Sequence, residues 1–533
     1  MSAFTITIYV ICGIYMLLNF KHDIHMLQQN SYRPERYWRY LRKNDLTSPW
    51  RMVDVAMLLF LLSTLLNPVL RVLLIALVCV AKCFIISRRK FKKPLVFTSR
   101  VKRIYGVIGV ISAGAVLAEA LTLGVRKDVL AYYSGVDVTL GTLLLICIFS
   151  WAVVMLAILI LSPVEKSINA RYRNEAVSIL SSMPDLTVVG ITGSYGKTST
   201  KHYLHRILSE SYDVLMTPGS YNTPMGVIRT VREMMKPYYK VFICEMGAKQ
   251  KGDIKEICDM VHPSIGIVTA VGPMHLETFK SIENVQSTKF ELIDALPAEG
   301  FAVVNDDFEY CANRSVNNVG IVRYAVSNTG AADYRAEDIR YSPRGTTFTV
   351  VGPDNLRLPL NTKLVGECNI SNLLAAVAVA IHLKVPHDKI QYAVASIEQV
   401  EHRLNIKRTP GGVTIIDDAF NSNPSGSRMA VDVLSGFTDG RRVIVTPGMI
   451  ELGDRQFELN KELGRHIASG VDTAIIVGEY NREALVAGAR EGGMDESGII
   501  PVASFGEAQQ VLSTMLKAGD TVLYENDLPD SFK

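Results

Sequence analysis

The stretch LTVVGITGSYGKTST occupies residues 186–200 of this 533-residue chain. Its first seven residues are apolar and rich in β-branched side chains, which predicts a short buried parallel strand. A glycine-containing loop follows, and an amphipathic helix continues to about Glu210. Strand, glycine loop and helix in this order predict a phosphate-binding P-loop, because backbone N–H groups and a helix N-terminus both attract phosphate.

The loop residues have distinct expected roles in binding a nucleoside triphosphate. Lys197 is predicted to neutralise the β- and γ-phosphates of ATP, and Thr198 is predicted to ligate Mg²⁺. The remaining ATP contacts in the loop are expected from Gly193, Ser194, Gly196 and Ser199. The literal P-loop pattern has glycine where this chain has Ile191, so a chance glycine turn is the alternative reading. The Gly-Lys-Thr ending disfavours that alternative.

Two further strands are predicted to end in side chains suited to a metal ion. Residues 240–244 lead into Glu245, and residues 265–270 lead towards His275. Ligands of doubly wound sheets bind at the carboxyl ends of the strands, so both side chains are expected near the P-loop. Either residue alone is more often structural. Together with a phosphate site they predict Mg²⁺ binding, since phosphates supply only part of its coordination sphere.

Three segments occur in a fixed order: EMGA at residues 245–248, GPMHLE at 272–277 and TKFEL at 288–292. This order and spacing resembles the central domain of the Mur ligases, the ATP-dependent amide-bond ligases of bacterial peptidoglycan synthesis. A lone helical lysine such as Lys289 normally faces solvent. The resemblance instead implies that CO₂ carbamylates Lys289 and that the carbamate oxygens ligate a second Mg²⁺. The expected metal ligands are thus Thr198, Glu245, His275 and Lys289.

The resemblance extends to the nucleotide and acceptor sites. Asn305, which begins NDD at 305–307, and Asn369, within GECNISN at 366–372, are implied to contact the nucleotide. The segment SYNTPMG at 220–226 resembles the acceptor-side loop of the family, which implies substrate contacts for Asn222 and Thr223. Two positions depart from the pattern: Cys368 stands for the usual histidine, and Ala270 for an asparagine.

A second, smaller α/β unit is expected after His402. Predicted strands at 413–417, 442–446, 473–477 and 521–524 alternate with helical stretches, as in a small Rossmann-like domain. The resemblance implies that Arg403 contacts the γ-phosphate and Asp418 orients the nucleotide, while Asn421 and Asn423 line the closed cleft. The segment GMIELG at 448–453 resembles that of the D-alanyl-D-alanine-adding member. The tail YENDLPD at 524–530 replaces that member's Lys-Gly-Ser segment, so the incoming amine is left open.

Roughly the first 160 residues hold the apolar runs that raise the mean hydropathy to +0.20. We expect about five membrane crossings, at Phe4–Phe20, as a hairpin within Met52–Ile86 broken at Asn67, at Ile104–Leu123 and at Val138–Leu161. Basic residues concentrate in segments 21–51 and 87–103, which predicts that both lie inside and the N-terminus outside. These segments either set orientation alone or also bind anionic lipid or a phosphate-bearing substrate.

The charge and the cysteine content argue against nucleic-acid binding, a zinc site and a disulfide framework. The 56 basic and 52 acidic residues leave a net charge of +4, too small to indicate nucleic-acid binding. The eight cysteines form no CxxC pair, which disfavours a zinc site or a disulfide framework.

We therefore expect a membrane domain (1–161), a linker (162–184), a central ATP-binding domain (185–398) and a C-terminal Rossmann-like domain (399–533). The predicted function is ATP-dependent addition of an amino acid or dipeptide to a UDP- or lipid-linked cell-wall precursor at the inner membrane face. Cell-wall synthesis proteins are possible further partners. A membrane-tethered poly-γ-glutamate ligase is one alternative. An ATP-driven transporter lacks the expected LSGGQ signature, and a non-catalytic scaffold is disfavoured by the retained Lys197, Glu245, His275 and Lys289.

Overall fold

The computed structural model describes residues 3–63, 66–89, 91, 94–125, 135–342, 345–400, 403–419 and 422–527. The chain forms two compact units, a helical unit and an α/β unit, which divide between Asn169 and Ala170. Nothing is described for Asn421, which was expected to line the cleft, because it lies outside these residues.

The described part of the helical unit is formed by helices, most of them long and apolar. Its helices are α1 (Ala3–Gln29), α2 (Pro34–Tyr40), α3 (Pro49–Leu62), α4 (Pro68–Arg88), α5 (Ser99–Val125), α6 (Gly135–Ile148) and α7 (Ser150–Ser181), the last continuing into the α/β unit. Among the described residues, three helical segments are long and apolar enough to cross a membrane: Pro68–Arg88, Ser99–Glu119 and Ser150–Ser181. The expected five crossings and their orientation therefore remain predictions.

The stretch expected to form one crossing at Val138–Leu161 is two helices, α6 and α7, with a turn at Phe149. Two side chains of α1 contact the residues on either side of this break. The Asn19 amide donates to the carbonyl of Cys147 at 3.0 Å, and the Ser150 hydroxyl contacts Asp23. Helices bend where side chains enter their hydrogen-bond ladder, and a hydropathy pattern carries no trace of such contacts.

The segment expected as a linker, 162–184, is helical as far as Ser181. Two contacts explain its order. Arg103 donates to Glu165 at 2.7 Å within the helical unit, and Ala176 is fully buried in the core of the α/β unit. The predicted domain boundaries otherwise remain predictions.

The central part of the α/β unit contains a nine-stranded sheet in the order β2-β3-β1-β4-β5-β6-β7-β8-β9. The strands are β1 (Thr187–Thr192), β2 (Val214–Met216), β3 (Val241–Glu245), β4 (Ile265–Val268), β5 (Phe301–Asn305), β6 (Gly320–Ala325), β7 (Tyr334–Ser342), β8 (Gly345–Gly352) and β9 (Leu356–Thr362). The pairs from β2 to β7 are parallel, whereas β7, β8 and β9 pair antiparallel, an extension that the sequence analysis did not predict.

Helices cover both faces of this sheet. They are α8 (Lys197–Leu208), α9 (Pro224–Met234), α10 (Asp253–Val261), α11 (Leu276–Phe279), α12 (Ile282–Asp294), α13 (Glu309–Ala312), α14 (Glu367–His382) and α15 (His387–Ser396). Along β1, Val189 and Ile191 enter the core formed with α8, α14 and α15, and Val188 enters the core formed with α9, α10 and α12. Apolar side chains on both faces explain why β1 reads as a continuous apolar run.

The C-terminal part contains a six-stranded sheet in the order β10-β11-β15-β12-β13-β14, in which β10 alone is antiparallel. Its elements are β10 (Asn405–Arg408), β11 (Thr414–Asp418), α16 (Pro424–Ser435), β12 (Arg442–Thr446), α17 (Gln456–Gly470), β13 (Thr473–Val477), α18 (Arg482–Glu491), β14 (Ile499–Val502), α19 (Phe505–Met515) and β15 (Thr521–Glu525). The predicted Rossmann-like arrangement is confirmed, with β10 and β14 as additions.

All eight cysteines lie among the described residues, and each has a free thiol.

Candidate functional site

The phosphate loop spans residues 193–196 between β1 and α8. Gly196 has a φ of +78°, which a residue with a side chain rarely adopts. A Cβ on Gly193 would lie 2.1 Å from the Thr269 hydroxyl, and one on Gly196 would lie 2.4 Å from the Asn372 carbonyl oxygen. Glycine is therefore required at both positions. The result is a close-packed loop with its backbone at the carboxyl edge of the sheet, where phosphate oxygens can be cradled.

The two serines and the lysine of the loop are held by protein contacts. The Ser194 hydroxyl donates to the Gly272 carbonyl at 3.1 Å, and Ser199 is buried in the first turn of α8. The Lys197 ammonium folds over the loop and donates to the carbonyl of Gly193 at 2.6 Å. Burial lowers the pKa of Lys197 to about 8, although the nearby charge of Glu245 acts in the opposite direction. An anion bound here would stabilise the charged lysine.

Glu245 ends β3 with its carboxylate 1% exposed. The Thr198 hydroxyl donates to it at 3.1 Å, the Asn222 amide donates at 2.9 Å, and the Lys201 ammonium pairs with it at 2.9 Å. Burial raises the pKa of Glu245, but the charges of Lys201 and Lys197 outweigh burial and hold this pKa below its usual value. Glu245 is therefore an ionised oxygen ligand beside a threonine hydroxyl, which is the chemistry that Mg²⁺ requires.

Lys201 was not predicted, and it is completely buried. Its ammonium also donates to the Gly219 carbonyl at 2.6 Å. Residues four apart lie on the same face of a helix, so the spacing of Lys197 and Lys201 on α8 was a usable signal. It was passed over because a lone lysine on a helix is normally expected to face solvent.

His275 follows β4 and is positioned by a second acidic residue that the sequence analysis did not single out. Its Nδ1 contacts the carboxylate of Glu451, which lies in the loop after β12. Burial lowers the pKa of His275, and this effect is partly offset because its ring N–H donates to the Glu451 carboxylate. The ring is 16% exposed, and its other nitrogen, Nε2, is the one left to face a ligand.

Lys289 lies on α12 and is 2% exposed, in contrast to an ordinary helical lysine. Among the described residues, no hydrogen bond or ion pair reaches its ammonium group. Burial lowers the pKa of Lys289 to about 7, and the positive charge of Lys197 adds to this effect. The charge of Lys289 in turn acts on His275, so these two expected ligands lie in the same electrostatic environment. A substantial fraction of the Lys289 amine is therefore neutral near neutral pH.

Asn305 and Asn369, expected to contact the nucleotide, are buried and hydrogen-bonded within the protein. The Asn305 amide donates to the Thr269 carbonyl at 2.9 Å, which braces the segment behind the phosphate loop. The Asn369 amide donates to the Val365 carbonyl at 2.8 Å, and its oxygen accepts from Tyr203 at 2.7 Å. Their described contacts are structural, and nucleotide contact remains a prediction for both.

The expected acceptor-side residues have separate positions. Asn222 faces Glu245, whereas the Thr223 hydroxyl caps α9 by accepting from the Gly226 N–H at 3.2 Å. Asn423 likewise caps α16, accepting from the Gly426 N–H at 2.8 Å. Caps fix the direction of a helix start, and substrate contact by these residues remains a prediction.

Arg403, in the C-terminal domain, interacts electrostatically with Asp418 and with Lys197 and Glu245 of the phosphate site. Burial lowers the pKa of Arg403, while the charges of Asp418 and Glu245 oppose this shift. The charge of Glu245 on β3 thus reaches Arg403, which belongs to the other domain. Burial raises the pKa of Asp418 to about 7, with a further contribution from the charge of Glu525.

Glu525 is an unpredicted buried acid at the end of β15, 1% exposed. The hydroxyls of Ser427 and Thr446 each donate to its carboxylate at 2.7 Å, and Ser422 makes a third contact. Burial raises the pKa of Glu525. It stands in the tail segment YEND, where the sequence had already indicated a departure from the family pattern.

The residues present are compatible with Mg²⁺ as an ion shared with phosphate. Within the described ranges, no group of three or more His, Cys, Asp or Glu side chains is arranged to hold a metal. Mg²⁺ is typically held by one or two carboxylates plus phosphate oxygens and water. Thr198 and Glu245 supply such a partial set, and His275 and Lys289 are candidates for a second one.

Two family descriptions match the chain. "Mur ligase middle domain" matches residues 191–380, and "Mur ligase, glutamate ligase domain" matches residues 402–524. Both fall within the α/β unit, and each contains one of its two sheets.

Among known proteins, the UDP-N-acetylmuramoyl-tripeptide–D-alanyl-D-alanine ligase of Escherichia coli is 31% identical over 335 residues, which cover 62% of this chain and 74% of that ligase. The Bacillus subtilis ligase of the same name is 29% identical, over 53% of this chain and 60% of its own length. The chain thus spans less than two thirds of that relative. The crystal structure of MurF ligase from Thermotoga maritima in complex with ADP superposes with a TM-score of 0.61 at 25% identity, covering 67% of this chain and 80% of that one.

Proposed function

This chain belongs to the Mur ligase family, and from that premise we propose that it joins a carboxylate to an amine in an ATP-dependent reaction. The observation that carries the proposal is that Lys197, in the phosphate loop, interacts electrostatically with Glu245, Lys289 and Arg403. Positive charge from both domains meets there, together with oxygen ligands for Mg²⁺. Phosphoryl transfer depends on such positioning and charge neutralisation.

In the first proposed step, an acceptor carboxylate oxygen attacks the γ-phosphorus of ATP, and the bond to the β-phosphate oxygen breaks. ADP leaves, and an acyl phosphate forms. Lys197 and Arg403 stabilise the negative charge on the transferred group, while the loop N–H groups hold the remaining phosphates. Mg²⁺, held by Thr198 and Glu245, would further neutralise the phosphate oxygens.

In the second step, the amine nitrogen attacks the acyl carbon and phosphate leaves with the former carboxylate oxygen. The nitrogen loses a proton, and an amide remains. The acyl phosphate is sensitive to water, so a cleft closed by the C-terminal domain protects it.

We assign carbamylation to Lys289. Carbamylation needs a neutral amine, and the residue is buried, without an ion-pair partner among the described residues. CO₂ would convert this amine into an anionic carbamate with oxygen ligands, suited to a second Mg²⁺ next to His275.

The proposed substrates follow those named for the relatives. The acceptor is a muramoyl tripeptide precursor, UDP-linked or lipid-linked, and the amine is D-alanyl-D-alanine or a similar amino acid or dipeptide. The proposed location is the inner face of a membrane, with the helical unit as a multi-span anchor and its N-terminus outside. Three apolar helices of sufficient length support this location.

Mass spectrometry of reaction products tests the proposal. Detergent-solubilised full-length protein is supplied with ATP, Mg²⁺, bicarbonate, membrane extract or UDP-linked tripeptide, and candidate amines. We expect a product heavier by the amine minus one water, found in the wild type and in the surface control Lys255→Ala, and lost in Lys289→Ala. Product in the lipid fraction alone identifies a lipid-linked acceptor. ATP hydrolysis with no amide from any acceptor would contradict ligase activity.

A further inference from the structure

The contact between His275 and Glu451 joins the two domains of the α/β unit directly. His275 follows β4 of the central sheet, and Glu451 follows β12 of the C-terminal sheet, 176 positions later. Lys249, also in the central domain, lies 3.8 Å from the other carboxylate oxygen of Glu451. The loop around Glu451 also packs closely on the central domain, because a Cβ on Gly453 would lie 3.4 Å from the backbone of Leu276 and Glu277.

The loop that carries Glu451, residues 447–453, is braced from three directions. The Met449 N–H donates to Asn460 of α17 at 2.8 Å, and the Asn481 amide donates to the Met449 carbonyl at 2.9 Å. The Asn526 amide, just beyond β15, donates to the Gly448 carbonyl at 2.6 Å. Amide side chains thus fix the loop to its own domain, so Glu451 moves with that domain as a unit.

Both partners have an unusual backbone conformation. His275 has a φ of +52° and Glu451 a φ of +62°, a region that residues with side chains rarely adopt. Such strain persists only where surrounding contacts impose it, and it is frequent at functional sites. Here the two strained residues are the two that touch.

A carboxylate that accepts the Nδ1–H of a histidine fixes the ring orientation and leaves Nε2 as the metal-binding atom. We propose that Glu451 is a positioning residue that aligns His275 for the second divalent cation only when the C-terminal domain is closed. The inference rests on the proposed metal role of His275 and extends it. Closure of one domain thereby completes a metal site in the other, so a carboxylate is activated only in a cleft that excludes water.

The test uses Mn²⁺ as the probe ion. Bound and free Mn²⁺ are measured by electron paramagnetic resonance in titrations of the full-length protein with ATP and no acceptor. We expect a tight ion and a weaker one in the wild type. Glu451→Ala should weaken the second ion about tenfold or more and leave the first unchanged, since losing such a partner costs roughly 10–100-fold in metal affinity. Glu451→Gln, whose amide oxygen still accepts a hydrogen bond, should fall between the two.

Glu458→Gln is the matched control, because Glu458 is a surface residue of α17 whose carboxylate lies 3.7 Å from Arg465. It should bind both ions as the wild type does. With an acceptor present, Glu451→Ala should raise the half-saturating Mg²⁺ concentration much more than it lowers kcat at saturating Mg²⁺. A merely structural contact would lower the unfolding temperature and kcat without changing the Mg²⁺ dependence.

The variant His275→Ala distinguishes the positioning role of Glu451 from the metal role of His275. If it loses the weaker ion but Glu451→Ala and Glu451→Gln titrate like the wild type, the positioning role of Glu451 is wrong and the metal role of His275 stands. If His275→Ala retains both ions, the proposed metal role itself is wrong.

Discussion

The helical unit and the α/β unit bury charge in different ways. In the helical unit every buried charged side chain among the described residues has an oppositely charged partner; these residues are Asp23, Asp45, Arg51, Asp54, Arg71, Lys82, Asp137 and Glu165. In the described part of the α/β unit, Lys289 and Glu525 are buried without such a partner. Glu525 ends β15, and Lys289 on α12 interacts electrostatically with Lys197 of the phosphate loop.

This difference distinguishes buried charges that stabilise helix packing from buried charges that serve a function. A buried ion pair is costly to break but satisfies itself, so it fixes how helices pack. A buried charge without a partner shifts its pKa and destabilises the fold, and it persists where a ligand or a chemical modification meets it. Lys289 fits this second description, and the predictions below test the contrast.

Removing the unpaired lysine should have the largest effect. Lys289→Ala should reduce kcat by at least about 10³-fold, because a carbamate ligand to the second cation is lost. Its unfolding temperature should not fall, since a buried amine without a partner contributes no stabilising contact of its own. Phosphate release and thermal unfolding are measured on the same samples, with Lys255→Ala as control. Full activity in Lys289→Ala would contradict a functional role for this unpaired lysine.

Breaking an ion pair in the helical unit should lower stability and leave kcat unchanged, the opposite of the result expected for Lys289→Ala. Lys82 lies 2.6 Å from Asp54, and Lys82→Met leaves that carboxylate buried and unpaired. The free energy of unfolding should fall by about 3 kcal/mol, measured by SDS titration in mixed micelles, while kcat of the folded fraction is unchanged. The double variant Asp54→Leu/Lys82→Met should recover most of the loss, and Lys102→Met, at an exposed position of α5, should cost little. A loss of kcat larger than the loss of folded protein would show that this pair is functional.

Lys289 should also give activity a dependence on CO₂ that varies with pH. With its pKa at about 7, the neutral fraction of the amine falls from about one half at pH 7 to about one tenth at pH 6. The dissolved CO₂ needed for half-maximal activity should therefore rise at least about fivefold from pH 7 to pH 6. Turnover is measured at fixed dissolved CO₂, and a carbamate signal from ¹³C-labelled bicarbonate reports the modification directly. A CO₂ requirement independent of pH would contradict the assignment.

Glu525 should have the smallest effect, on stability. Its folded-state pKa is raised above the ordinary glutamate value of 4.5, so the folded protein binds a proton more readily than the unfolded chain. Its contribution is therefore most favourable at low pH and is lost as pH rises from about 4.5 towards the folded-state pKa. Glu525→Gln should unfold at a higher temperature than the wild type at pH 8, with the difference shrinking at pH 5. Glu483→Gln, at an exposed position, should show no such trend.

Much of the α/β unit was predictable because its signals are local. The apolar run into the phosphate loop, and the strands ending at Glu245, Asp418 and Thr446, are continuous stretches that form parallel strands of the two sheets. Lys289 was found only through the order of neighbouring motifs, because nothing local distinguishes a buried helical lysine from an exposed one.

The residues that were missed act through distant contacts. Glu451 meets His275 across 176 positions, and Glu525 meets Thr446 across 79, so neither partner can be read from spacing. Asn19 likewise contacts the Cys147 carbonyl beside the turn at Phe149 from 128 positions away. The antiparallel strands β7–β9 were recoverable, since β9 alternates buried and exposed residues along its length.

The central claim, formation of an acyl phosphate in the cleft, is tested most directly by isotope transfer. A UDP-linked muramoyl tripeptide labelled with ¹⁸O in its terminal carboxylate is incubated with the full-length protein, ATP, Mg²⁺, bicarbonate and D-alanyl-D-alanine. We predict one ¹⁸O atom in each phosphate released, in step with amide formation. Amide formed with unlabelled phosphate, or phosphate released with neither label nor amide, would contradict the account.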